Sequence, residues 1–112
     1  MQRRRWPIAD FPSNLVCLHL LCPALTEERV LDALLAVGEA GVFTSSPASG
    51  HGYGHGALST QDQVSGRSDA AVVQVLVAHD QLDALLTRLQ PELVRTGARY
   101  WATPVVRQGE FK

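Results

Sequence analysis

Two segments of this 112-residue chain, Leu15–Leu21 and Ala70–Ala78, are nearly unbroken apolar runs, and each is followed by a leucine-rich stripe at helical spacing. The first reads as a strand buried on both faces, and the second, β-branched and largely apolar, as the clearest strand of the chain. Pro23 ends the first. Thr26 then offers an N-cap hydroxyl, with Glu27 and Glu28 in the first turn, where the helix dipole favours negative charge. Val30, Leu31, Leu34, Leu35 and Val37 recur at helical spacing, and Gly38 and Gly41 bracket the stop. After the second run, Asp80 is placed to cap a helix whose stripe is Leu82, Leu85, Leu86, Leu89 and Leu93. Pro91 predicts a kink or break one turn before the end of that helix, and Gly97 closes it.

Two more strands complete the pattern. Val42–Ala48 is weakened by Pro47, which suits an edge. Arg99–Val106 carries Tyr100 and Trp101, which read as core or interface residues, with a stacking platform as the alternative. The order β-α-β-loop-β-α-β describes an α+β, ferredoxin-like βαββαβ fold: a four-stranded antiparallel sheet with two helices on one face. The other face then needs a cover, and oligomerisation is the simplest one. Residues 1–13, polar and punctuated by proline, read as a flexible arm, and residues 14–112 as a single domain, a length within the usual range for one.

Charge and cysteines narrow the function. A formal net charge of −1 gives no global reason to bind nucleic acid. Lys112 is the sole lysine, which argues against Schiff-base chemistry. Cys17 and Cys22 are five apart on one strand, so they face opposite ways and cannot pair within it. This fits a cytoplasmic protein. Arg3–Arg5 followed by Leu15–Leu25 has the outline of a secretory signal, but Asp10, Pro12 and His19 interrupt it, and the apolar run is too short for a membrane span.

The least regular stretch is Ser49–Gly66, which opens as Gly50-His51-Gly52-Tyr53-Gly54-His55-Gly56. A connection of this length in a small domain is usually functional. His51 and His55 can bring two imidazoles onto one zinc, nickel or copper ion, with Tyr53, Asp62 or a neighbouring subunit completing the set; the alternative is a solvated loop. Cys17 and His19 share a strand face, where core packing outweighs a soft-metal site. His79 reads as a loop residue. Arg67 and Arg107 suit an anion site or structural pairing with Asp69 and Glu110. No nucleophile elbow, His-Glu-x-x-His, Cys-x-x-Cys or phosphate loop is present, so a regulatory protein is expected, with a small cofactor-free enzyme as the weaker alternative.

The order of elements, the long glycine-bearing loop between strands 2 and 3, the Gly50–Gly56 run, Val64-Ser65-Gly66-Arg67, and the Thr103-Pro104-Val105 and Arg107-Gln108-Gly109-Glu110 ending together resemble the PII-like signalling superfamily. Within it the chain is most similar to an uncharacterised bacterial branch often associated with heavy-metal efflux systems. The resemblance implies a homotrimer with effector clefts between subunits, formed by Gly50, Gly52, Tyr53, Gly54, Arg67, Arg107 and Gly109. It implies a mobile T-loop between strands 2 and 3 that reports to a partner such as a membrane transporter or efflux component. The effector implied is a small molecule or metal: an adenine nucleotide, or a divalent transition metal on His51 and His55. The sequence departs from nucleotide-binding members at Tyr53, where they carry arginine, and at Asp69-Ala70-Ala71, where they carry a basic residue. It departs again in the short connector Arg95–Arg99, so its set of phosphate-binding cations is smaller.

Overall fold

The computed structural model describes residues 14–38, 40–52 and 68–112. The expected arm 1–13 and most of the Ser49–Gly66 loop lie outside them. The elements are β1 (Leu15–Pro23), α1 (Glu27–Val37), β2 (Phe43–Gly50), β3 (Ser68–Ala78), α2 (Leu82–Leu93) and β4 (Arg99–Pro104). They build one antiparallel sheet in the order β2-β3-β1-β4, the ferredoxin-like βαββαβ arrangement.

Burial alternates along β1: Val16, Leu18, Leu20 and Cys22 point into the core, while Cys17, His19 and Leu21 do not. The core lies between the sheet and the helices, where these residues meet Ala71, Val73, Val75 and Val77 of β3, Val30 and Leu34 of α1, and Leu85 and Leu89 of α2. Antiparallel register puts directly opposed residues on one face. The second face therefore carries Cys17, His19 and Leu21 with Leu76, Gln74 and Val72 of β3, and with Thr103, Trp101 and Arg99 of β4. The expectation of a β1 strand buried on both faces is thus met on one face by this chain alone. Within one chain the helices cover a single face, and the apolar residues of the other remain partly exposed.

Several element ends also differ from expectation. Neither Thr26 nor Asp80 caps a helix by its side chain; each lies in a short 3-10 turn, Ala24–Thr26 and His79–Gln81, that leads into the helix. The hydroxyl of Thr26 serves elsewhere. Its Oγ1 lies 3.0 Å from the carbonyl of Thr96 and 3.1 Å from that of Pro23, so one hydrogen ties the start of α1 to the end of α2. Thr26→Val keeps the shape and removes the donor from a partly buried carbonyl, so unfolding stability should fall by about 1–3 kcal/mol in urea titrations. An unchanged midpoint would show that the tie contributes nothing.

Pro91 does not break α2, which continues to Leu93 with the proline in its last turn. The strand β2 runs on through Pro47 to Gly50, two residues past the expected end; as an edge strand pairing only with β3, it tolerates a residue without an N–H. Conversely, β4 stops at Pro104 rather than Val106. Gly41 is required by contact: a Cβ there would meet the carbonyl oxygen of Leu76 at 2.6 Å, the same oxygen that accepts the Gly41 N–H at 3.2 Å. Among the described residues, no helix is long and apolar enough to cross a membrane.

Candidate functional site

Strand β4 is the outer strand beside β1, and all six of its residues are exposed in the single chain. Its register sets Arg99 opposite Leu21, Trp101 opposite His19 and Thr103 opposite Cys17. The His19 and Trp101 rings stack nearly parallel, with centroids 5.5 Å apart and planes 12° from each other. His19 Nε2 lies 3.1 Å from Thr103 Oγ1, so this imidazole is oriented by a stack on one side and a hydroxyl at its tip.

His51 and Gly52, which follow β2, border this same face. A cleft of about 440 Å3 is lined by Leu21, His51, Gly52, Arg99, Tyr100 and Trp101. Gly52 sits at φ +83°, a conformation that L side chains rarely adopt, so glycine is what lets the chain turn there. The cleft thus holds an exposed imidazole, a guanidinium, an indole face and a turn backbone. Guanidinium and imidazole can bind an anion, and the indole offers a stacking surface for a planar group.

Of the expected site residues, the structure places His51 and Gly52 in this cleft. Gly50 ends β2 opposite Ser68 and is buried. Arg107 and Gly109 lie exposed in the tail after β4, outside the cleft lining. Tyr53, Gly54, His55 and Arg67 lie outside the described residues. Arg99 and Trp101 are cleft residues that sequence reasoning did not assign to an effector; alternation along β4 with Leu21 and His19 opposite was the available signal.

Both thiols are held protonated. Burial pushes the Cys17 thiol up, and burial with the neighbouring Glu27 charge does so for Cys22. Thiolate is the metal-binding and nucleophilic form, and these surroundings disfavour it at both cysteines. Among the described residues, no group of three histidine, cysteine or acidic side chains is gathered for a metal ion. Ser68, at the start of β3, has a buried hydroxyl with no hydrogen-bond partner.

The fold is one shared with PII and CutA proteins. The chain belongs to the DUF3240 family, described as a protein of unknown function, whose model matches residues 12–112. A DUF3240 family protein from Shewanella baltica OS155 superposes with a TM-score of 0.72 at 19% identity, over 89% of this chain and 99% of that one. CPII from Thiomonas intermedia K12, a nitrogen regulatory PII-like protein bound to ADP, AMP and bicarbonate, gives 0.58 at 20% identity, over 79% and 86%. The periplasmic divalent cation tolerance protein CutA from Archaeoglobus fulgidus gives 0.63 at 15%, over 86% and 88%. Identities this low establish the shared fold alone. No curated protein matches the sequence.

Proposed function

We propose that this chain is a small PII-like regulator, not an enzyme, that binds a small anionic effector at the base of the β2–β3 connection. The observation that carries this reading is the cleft itself. It joins His51 and Gly52, where that connection leaves the sheet, to Arg99 and Trp101 of the rigid strand β4. An effector bridging the two would favour one arrangement of the connection over others, and a partner such as a transporter or efflux component would read that arrangement. A homotrimer would cover the open sheet face and extend the cleft with a neighbour's residues.

The nucleotides and bicarbonate bound by the Thiomonas protein make ATP, ADP, AMP and bicarbonate the first anions to try. The measurement is Trp101 emission in a Trp6→Phe background, with calorimetry alongside. Saturable quenching by one of these anions is expected, weakened about 10- to 100-fold by Arg99→Gln, as losing a charge-assisted bond implies. If all four leave both signals unchanged, the anion reading fails.

A second reading follows from the exposed imidazole of His51 at the cleft and the cation-tolerance role named for the Archaeoglobus protein. Here His51 and His55 would hold zinc, nickel or copper. Zinc affinity should then vanish in a His51→Ala, His55→Ala double variant. Metal binding that survives the double change would end this alternative.

A further inference from the structure

On the helix side of the sheet, α2 and β4 leave a second cavity of about 430 Å3, within the usual ~300–1,000 Å3 of small-molecule sites. Its walls are Leu20 of β1, Leu86, Leu89 and Leu93 of α2, and Ala98 and Tyr100 of β4 and its approach. The polar groups that line it are Gln90, Arg95 and Arg99, and no acidic residue does. Because β4 is the edge of the sheet, no further element of the described chain closes this side.

Arg95 is the telling residue. It holds φ +68°, the only described non-glycine residue with positive φ, and it lines the cavity next to the end of α2. The ordinary use for a cation there is to serve the last carbonyls of the helix. Three of the last four, all but that of Pro91, already have donors. Gln90 O accepts the Val94 N–H at 3.1 Å, Glu92 O accepts Arg29 Nη2 at 3.2 Å, and Leu93 O accepts both the Thr96 N–H at 3.1 Å and Thr96 Oγ1 at 2.6 Å. The Arg95 guanidinium is therefore not needed at those three carbonyls. A leucine-walled cavity with arginines on its lining matches a molecule with an apolar body and an anionic head. Leu86 and Gln90 also border a shallower depression with Thr87 and Pro91, which gives room for a longer chain.

We infer that this cavity binds a single small amphipathic anion, a hydrocarbon body carrying one carboxylate. The site shares Arg99 and Tyr100 with the loop-base cleft but opens on the helix side of the sheet, and it needs neither the effector nor the trimer proposed above. Calorimetric titration of the full chain with octanoate and octanol tests it. Octanoate should bind saturably, one per chain, with a negative heat-capacity change and at least tenfold more tightly than octanol. Arg95→Asn keeps a residue that tolerates the left-handed backbone, and should erase the preference for octanoate while leaving octanol unchanged. Leu86→Glu should abolish both. No saturable binding, equal affinity for the acid and the alcohol, or an unaltered preference in Arg95→Asn would overturn the inference. So would binding to phosphatidylglycerol vesicles without binding of free octanoate, which would mark a membrane surface instead.

Discussion

If the trimer proposed above forms through the open sheet face, Leu76→Glu should leave monomers near 12.2 kDa with the circular dichroism of the fold intact. Leu76 lies on the sheet face away from the helices, opposite Cys17, and is only partly buried in one chain. A carboxylate there remains hydrated in the monomer, so the core between sheet and helices is untouched. In an assembly that covers this face, each copy would bury one unpaired charge, at a cost of several kcal/mol per ion. Arg99 is the one cation that the pairing of the three strands places on this face, and it stands on β4, two strands from β3. Sedimentation equilibrium reads the outcome directly. A trimeric wild type and a monomeric variant support assembly through the open face. A variant that keeps the wild-type mass places the interface elsewhere, and a wild type already monomeric removes the trimer from the proposed function.

Leu18→Ala should cost about 2–5 kcal/mol, the range for deleting most of a fully buried leucine and leaving part of the cavity unfilled. Leu18 is 0% exposed at the centre of β1, flanked by β3 and β4, and packed in the core that α1 and α2 cover. A domain of this size has about 5–15 kcal/mol in total, so one substitution removes a large share. Leu35 belongs to the same apolar pattern in sequence yet is 68% exposed, and Leu35→Ala should change stability by no more than about 0.5 kcal/mol. Urea unfolding at fixed protein concentration separates the two. Holding concentration fixed matters because assembly would stabilise the native state by mass action. Equal losses at both positions would show that α1 is covered on its outer face as well.

These two leucines show where the sequence was readable and where it was not. The stripe Val30, Leu34, Val37 marks the inner face of α1 because a helix repeats every 3.6 residues, and these three are buried. Leu31 and Leu35 sit in the same run, and composition cannot say how wide the buried stripe is. The same holds for β1, whose unbroken apolar run suited a strand covered on both sides. One chain supplies helices for one side only, and the other side stays open within it.

Ends of elements were less legible than their existence. Thr26 and Asp80 have the chemistry of caps, but the chain enters both helices through 3-10 turns, and the Thr26 hydroxyl bonds to the carbonyl of Thr96, 70 residues away. Pro91 has the chemistry of a breaker. Placed in the last turn of α2, it ends little that was not already ending.

The candidate site was half legible. His51 and Gly52 stood out as members of a glycine–histidine run in a long connection; Trp101 was legible as a stacking surface but not as a neighbour of that run, and Arg99 did not stand out at all. The order of the sheet puts β4 beside β1 and carries the chain after β2 back over the shared face, so residues nearly 50 positions apart line one cleft. Periodicity, turn residues and element order are local properties, and local physics is enough for the sequence alone to determine the strands, the helices and the βαββαβ order. Which face stays open, which arginine is left without a structural duty, and which side chains share a cleft depend on contacts between distant segments. Those contacts exist only once the sheet has formed, and the tertiary structure decided them.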